Sequence, residues 1–262
     1  MSSERDALTR LAADLRAVLE DHRDLGVRHE VDGAPLPEAI HPVEPPPRVE
    51  SVDAHASAWD ALAQAGDARA EQGEVALRAV RADLGDCRRC GLCRDRRQIV
   101  FGVGDPDADL VICGEAPGYH EDQKGEPFVG PAGEMLDNMI VHVLGLRREQ
   151  VYILNVVKCR PPKNRNPLPD EVAACMPFLE GQLRAIRPKL MLVLGGVALN
   201  ALTGGRAPGI TKARGRWAEI QGIPTMPTFH PAYLLRQPEG KRATFNDLKA
   251  LKARYDELGG AR

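Results

Sequence analysis

Four short apolar runs, at 110–113, 151–157, 190–194 and 225–229, are each followed by a longer amphipathic stretch, and this alternation constrains the fold more than any other feature of the 262-residue chain. An apolar run with little polar alternation suits a strand buried on both faces, the condition of a parallel strand covered by helices on each side. Helical patterning follows at 132–144, 169–186, 196–203 and 243–258. The pattern predicts an α/β fold of three layers, α/β/α, around a four-stranded parallel sheet. In open sheets of this kind ligands sit outside the carboxyl ends of the strands, so the residues just after each run are where chemistry is expected.

The chain divides unevenly in charge. Residues 1–73 hold 7 Lys and Arg against 15 Asp and Glu, a net −8, whereas residues 74–262 hold 28 against 22, a net +6. Only the second part suits a polyanionic partner. In the first part, Leu8, Leu11, Leu15, Val18 and Leu19 recur at helical spacing and predict a short amphipathic helix, fit for docking or self-association. Pro35, Pro37, Pro42, Pro45, Pro46 and Pro47 then predict an extended, poorly ordered tether. An alanine-rich helical stretch runs with breaks from Ala54 toward Leu84, where Gly85 ends it. The expected organisation is an acidic N-terminal extension over 1–73, helical and partly disordered, and a folded domain over 74–262. No apolar run is long enough for a membrane span and the first residues lack the blocks of a secretory signal, so the cytoplasm is the expected compartment. Reducing conditions there make the six cysteines metal ligands or free thiols rather than disulfides.

Cys87 and Cys90 form a Cys-x-x-Cys turn, and Cys159 and Cys175 stand fifteen intervening residues apart near a loop and a helix. Four soft ligands of this kind select zinc or an iron–sulfur cluster, and composition alone does not choose between them. A structural zinc ribbon supplies two close knuckles, whereas the second pair here is spread.

Three of the four apolar runs carry polar segments at their ends. After the first comes Gly114-Glu115-Ala116-Pro117-Gly118-Tyr119-His120-Glu121-Asp122, then Gly125-Glu126-Pro127-Phe128-Val129-Gly130. Alone, such a Gly- and Pro-rich turn reads as a solvated loop. Asn155 ends the second run, followed by a loop made positive by Lys158, Arg160, Lys163 and Arg165. A lone Asn there caps backbone groups, and a charge run is a solvated face. The fourth run ends in Phe229-His230-Pro231-Ala232-Tyr233-Leu234-Leu235-Arg236, in which a single His is more often structural than catalytic. Gly195-Gly196 lacks the Lys-Ser/Thr of a phosphate loop and predicts close helix packing, and no dinucleotide fingerprint opens a helix.

Taken together, these segments change that reading. Over 74–262 the chain resembles the family four, iron–sulfur uracil-DNA glycosylases, with both signatures, the Asn strand and four cysteines in order. The resemblance implies a catalytic domain that hydrolyses the N-glycosidic bond of uracil in DNA to start base-excision repair. It implies a 4Fe-4S cluster on Cys87, Cys90, Cys159 and Cys175, a set that omits Cys93 and Cys113, which then read as free thiols. It places Phe128 against the uracil face, with Ala116 beside the substrate, Asn155 on the edge that separates uracil from cytosine, and Glu121 beside C5, where thymine carries its methyl group. His230 becomes the donor to the departing base, with Glu115 and Asn164 candidates for placing water or offsetting sugar charge. The cluster would pin Arg88, Arg89, Arg94, Arg96 and Arg97 where they meet DNA, and Arg236, Lys241 and Arg242 would add phosphate contacts. A self-crosslinking relative carries Gln where Ala116 stands and an Arg-rich insertion with a reactive His; neither is present, so turnover rather than suicide attachment is expected. Uracil-containing DNA is the expected partner, with a monomeric protein and a protein partner for the extension. Two rival readings are a non-enzymatic iron–sulfur DNA-binding or polymerase-associated protein and a zinc-stabilised nucleotide hydrolase.

Overall fold

The computed structural model describes residues 66–259, and the expectations for residues 1–65 lie outside them. The first described helix, α1 (Gly66–Leu84), is continuous through residues 73 and 74. It stops at Gly85, whose φ of +49° is costly for any residue with a Cβ and whose N–H reaches Arg81 O at 3.0 Å.

The sheet has six strands: β1 (Val103–Gly104), β2 (Leu110–Gly114), β3 (Tyr152–Asn155), β4 (Leu190–Leu194), β5 (Ala218–Ile220) and β6 (Ile223–Thr228). Their order is β1-β3-β2-β4-β6-β5. The four strands expected from the apolar runs form the parallel centre, β3-β2-β4-β6, and an antiparallel strand closes each edge. The expected four-stranded parallel sheet is therefore the centre of a mixed sheet of six. Both added strands lack an apolar run for a physical reason: β1 has only two residues and β5 is exposed at Ala218 and Glu219, so neither is buried on both faces. The β5–β6 hairpin turns through Gln221 and Gly222, both at positive φ (+54° and +76°), as a two-residue primed turn requires. Pro224 hid the early start of β6 at Ile223.

Alternate side chains of the central strands enter two separate cores. Val111, Cys113, Leu154, Met191 and Val193 point to one, together with Leu84 of α1, Leu179 and Leu183 of α4 (Pro169–Ile186) and Leu199 of α5 (Gly196–Leu202). Leu110, Ile112, Ile153, Leu190 and Leu192 point to the other. That second core is covered by Leu136 of the helix Pro131–Met139, by Leu144 of the π-turn Ile140–Leu144 that extends it, and by Leu248 and Leu251 of the helix Gly240–Glu257. The three-layer α/β/α arrangement follows from this period-two partition.

From β2 the chain moves to β3, then crosses back through α4 to β4 on the other side of β2, and next outward to β6. This reversal opens a crevice outside the carboxyl ends of β2 and β4.

Candidate active site

At the end of β2, Gly114 pairs with Asn155 at the end of β3. A Cβ on Gly114 would collide with Asn155 Oδ1 and stand 2.6 Å from Phe128 Cζ, so glycine here lets an aromatic ring and an amide close on the same strand end. Phe128 is nearly buried, at 6% exposure, and takes φ of +53°, a conformation a bulky side chain adopts only when its surroundings impose it. Those surroundings are built by Glu121 on α2 (Tyr119–Lys124). Its carboxylate accepts the N–H groups of Gly118 (3.0 Å), Val129 (2.9 Å) and Gly130 (3.2 Å), bracing the loop on both sides of the aromatic ring.

His230 opens the short helix α7 (Pro231–Arg236), which comes later in the chain than α3 (Pro131–Met139) and α6 (Ile210–Ala213). Its Nδ1 accepts the Ala232 N–H at 3.1 Å, and its ring lies 5.7 Å from the Phe128 ring at 31°. Burial, helped by the charge of Arg236 and opposed by Glu121, brings the imidazole down to about 4. At neutral pH the ring is therefore uncharged, with Nδ1 bare and the proton on Nε2. Gly195, at φ +90°, would place a Cβ 3.0 Å from His230 Cβ. Only Gly196 does what was expected of this pair, facing Ile210 of α6, whereas Gly195 makes room for the histidine.

A cavity of about 720 Å³ occupies the crevice, of a size to take a base with its sugar. Glu115, Ala116, Glu121 and Phe128 border it from the β2 side, Asn155 and Asn164 from the β3 side, and His230 from β6. Asn155 is 2% exposed and its Oδ1 has no hydrogen-bond partner within the protein. An acceptor buried without a donor costs free energy until a ligand supplies one. Burial raises the Glu115 carboxyl above its ordinary value. Asn164, in the Pro162–Asn164 turn, accepts the Arg160 Nε–H on its Oδ1 at 2.7 Å, and the Arg160 guanidinium lies 5.1 Å from the exposed Tyr119 ring.

Cys87, Cys90, Cys159 and Cys175 line one small cavity beneath this site, together with Arg89, Arg96 and Lys158. Nitrogen donors surround the sulfurs: Lys158 N lies 3.3 Å from Cys175 Sγ, Arg96 Nη1 3.4 Å from Cys159 Sγ and Arg89 Nη1 3.7 Å from Cys87 Sγ. The sulfurs ring the cavity rather than meet at a point: among the described residues no three Cys, His, Asp or Glu stand at the spacing that holds a single ion. Cys113 is buried in β2, and Cys93 is half-buried in the Gly91–Cys93 turn beside Cys90.

The model of the uracil DNA glycosylase superfamily matches residues 101–251, the span that holds β2 through most of the last helix and every side chain around the crevice. The chain belongs to that superfamily. It is similar to the type-4 uracil-DNA glycosylase of Sulfurisphaera tokodaii, 40% identical over 183 residues that cover 67% of this chain and 83% of that protein. The corresponding protein of Thermotoga maritima is 44% identical over 170 residues, 64% of this chain and 88% of the relative. That of Archaeoglobus fulgidus is 41% identical over 178 residues, again 64% and 88%.

Within this superfamily member, one residue of the basic loop after Asn155 and one of the arginines expected to meet DNA beside the cluster lie inward instead. Lys158 is 0% exposed, with Nζ on Asn155 O at 2.6 Å, and is no DNA contact. Arg96 has a side chain only 7% exposed, pairing with Asp86 at 2.6 Å and reaching Cys87 O at 2.6 Å, so it braces the cysteine site. Two roles went unread. Besides the brace made by Glu121, the buried Asp122 accepts Arg97 N at 2.8 Å and Gln98 N at 3.3 Å, tying the segment after the first cysteine pair to α2. A carboxylate pair in a glycine-rich signature carries no mark of which backbone it will meet.

Proposed function

We propose that this protein is a uracil-DNA glycosylase that hydrolyses the bond between uracil and deoxyribose in DNA, acting in base-excision repair. The observation that carries the reading is the unpartnered Oδ1 of Asn155, buried beside the Phe128 ring and facing the crevice that His230 closes. Uracil offers an N3–H donor next to an O4 acceptor, and one amide satisfies both; cytosine presents the opposite pattern and would leave the amide unpaired. The base reaches the crevice by rotating out of the stack, at a cost of about a few kcal/mol that is smallest at a mismatch. Phe128 stacks on its face, with Ala116 lining the same wall.

As the glycosidic bond breaks, negative charge gathers on the base and positive charge on the sugar. The His230 Nε2–H donates to O2, and because the ring stays neutral to about pH 4 its hydrogen bond strengthens as that charge develops. Glu115 offsets the sugar charge or orients the attacking water, with Asn164 a second group for the water. Glu121 performs two tasks at once: its carboxylate fixes the Phe128 loop, and its bulk excludes the C5 methyl of thymine.

Cys87, Cys90, Cys159 and Cys175 fit a 4Fe-4S cluster, since four soft donors enclose one cavity and N–H groups point at three of the sulfurs. The cluster would tie the 87–98 segment to β3 and α4; hydrolytic base release itself consumes no electron. Residues 1–73 would form an appended arm for a protein partner and 74–262 the catalytic domain of a cytoplasmic monomer. The test is to incubate the protein with a uracil-containing oligonucleotide and then cleave abasic sites with alkali. Strand breaks at uracil are expected, together with a brown protein containing iron and sulfide. Intact strands would leave the non-enzymatic DNA-binding reading in its place.

A further inference from the structure

Lys158 is the one fully buried lysine among the described residues, and its two polar ends serve two different sites. The backbone N–H lies on Cys175 Sγ at 3.3 Å, while the ammonium, at the far end of the side chain, donates to the main-chain carbonyl of Asn155 at 2.6 Å. Charged lysine is almost never taken out of water unless it is paired, because the cost of desolvating the ammonium has to be offset by an opposite charge and by hydrogen bonds. Among the described residues no carboxylate pairs with the ammonium, and Lys158 lines one cavity with Cys87, Cys90, Cys159 and Cys175.

We propose that Lys158 is a positioning residue that couples the four-cysteine cluster site to the base-reading amide of Asn155. This rests on the uracil and cluster readings above. A cluster held by four thiolates is anionic and is the counter-charge that a buried ammonium needs; the ammonium in turn holds the Asn155 carbonyl. The N–H end of that same peptide is held by β2, since Val156 N–H donates to Gly114 O (3.0 Å), and Val157 N–H donates to Glu115 O (3.1 Å). Lys158 thus holds the carbonyl end of a peptide whose N–H end is pinned to β2, and so steadies the backbone from which the unpartnered Oδ1 projects. The cluster site thus reaches the pocket through one side chain, in addition to its task in tying down the 87–98 segment.

Two variants of the cluster-loaded, full-length protein separate the parts of this coupling. Lys158→Met removes both charge and donor; Lys158→Gln removes the charge and keeps an N–H near the Asn155 carbonyl. Lys158→Met is expected to lower kcat/KM on a uracil oligonucleotide roughly 10- to 100-fold, as loss of a supporting contact does. Both variants are expected to move the cluster's reduction potential to more negative values, because a nearby cation favours the more negative reduced cluster, and Lys158→Gln is expected to retain more turnover than Lys158→Met. Added to Asn155→Ala, Lys158→Met should bring no further loss, since its effect passes through that residue. An unmoved potential, a wild-type kcat/KM in loaded Lys158→Met, or losses that add in full in the double variant would each overturn the coupling. If Lys158→Met gives no loaded protein, Lys158→Gln decides on the same readouts. A wild-type protein that releases no uracil would instead overturn the function, while the shift in potential would still report on the charge.

Discussion

The hydrogen bond from Ala232 N–H to His230 Nδ1 leaves Nε2 as the protonated nitrogen of a neutral ring, and burial keeps that ring from taking a second proton until about pH 4. The unfolded ring takes its proton near 6.5, so between these values the unfolded chain binds a proton that the folded chain does not. His230 therefore contributes stability that is fully present above about pH 6.5 and is lost as pH falls toward about 4. Denaturant titrations are expected to show this decline, and His230→Gln to lessen it, while losing excision by about 10²- to 10⁴-fold at neutral pH. A variant with the wild-type stability profile would remove the histidine from the first role, and one with wild-type excision would remove it from the second. Asn155, Phe128 and His230 were legible because each stands at or beyond the end of an apolar run, where a parallel sheet opens its crevice. Lys158 was not: it shares a stretch with Arg160, Lys163 and Arg165, and nothing in the order of residues says that the first of four cations turns inward behind β3.

Helix α2 has only six residues, yet its two central acids hold two separate segments of backbone. Glu121 binds the loop that carries Phe128, and Asp122 binds the backbone of Arg97 and Gln98, with Arg97 Nη1 on Gln123 Oε1 at 2.8 Å adding a further link. Asp122→Ala would leave those two amides without acceptors, at a cost on the order of 1–3 kcal/mol. The expected outcome is local: faster amide hydrogen exchange at Arg97 and Gln98, with the protection of β2 and β4 retained. Uniform loss of protection across the sheet would show that Asp122 supports the core rather than the segment. The same distinction explains which elements the sequence disclosed. Helix α4 begins and ends where its pattern predicts, because Pro169 starts it, Glu171 caps Leu168 N at 2.8 Å and a continuous apolar stripe faces the sheet. The edge strands β1 and β5 gain their pairing from a neighbour already in place, and no apolar run of their own announces them.

Across the whole molecule, basic side chains divide by depth. Arg96, Arg214 and Lys158 face inward, Arg214 clamping Asp247, which also accepts the Thr228 hydroxyl at 2.6 Å beneath the His230 turn. Arg236, Lys241 and Arg242 stay exposed, and Arg236 also borders the crevice. Contacts to phosphate hold a duplex in place without reading it, whereas the proposed role of the Asn155 amide is to read one base. Arg236→Ala is therefore expected to weaken binding to uracil-containing and ordinary DNA alike, and to make the slope of log affinity against log salt shallower by about 0.9 for the one phosphate lost. Asn155→Ala should leave that slope unchanged and lower the preference for uracil over cytosine. Binding isotherms at several salt concentrations on paired uracil and cytosine oligonucleotides measure both quantities at once. If Arg236→Ala alters base preference while the slope stays fixed, the arginine belongs to the pocket and not to the surface that carries the DNA.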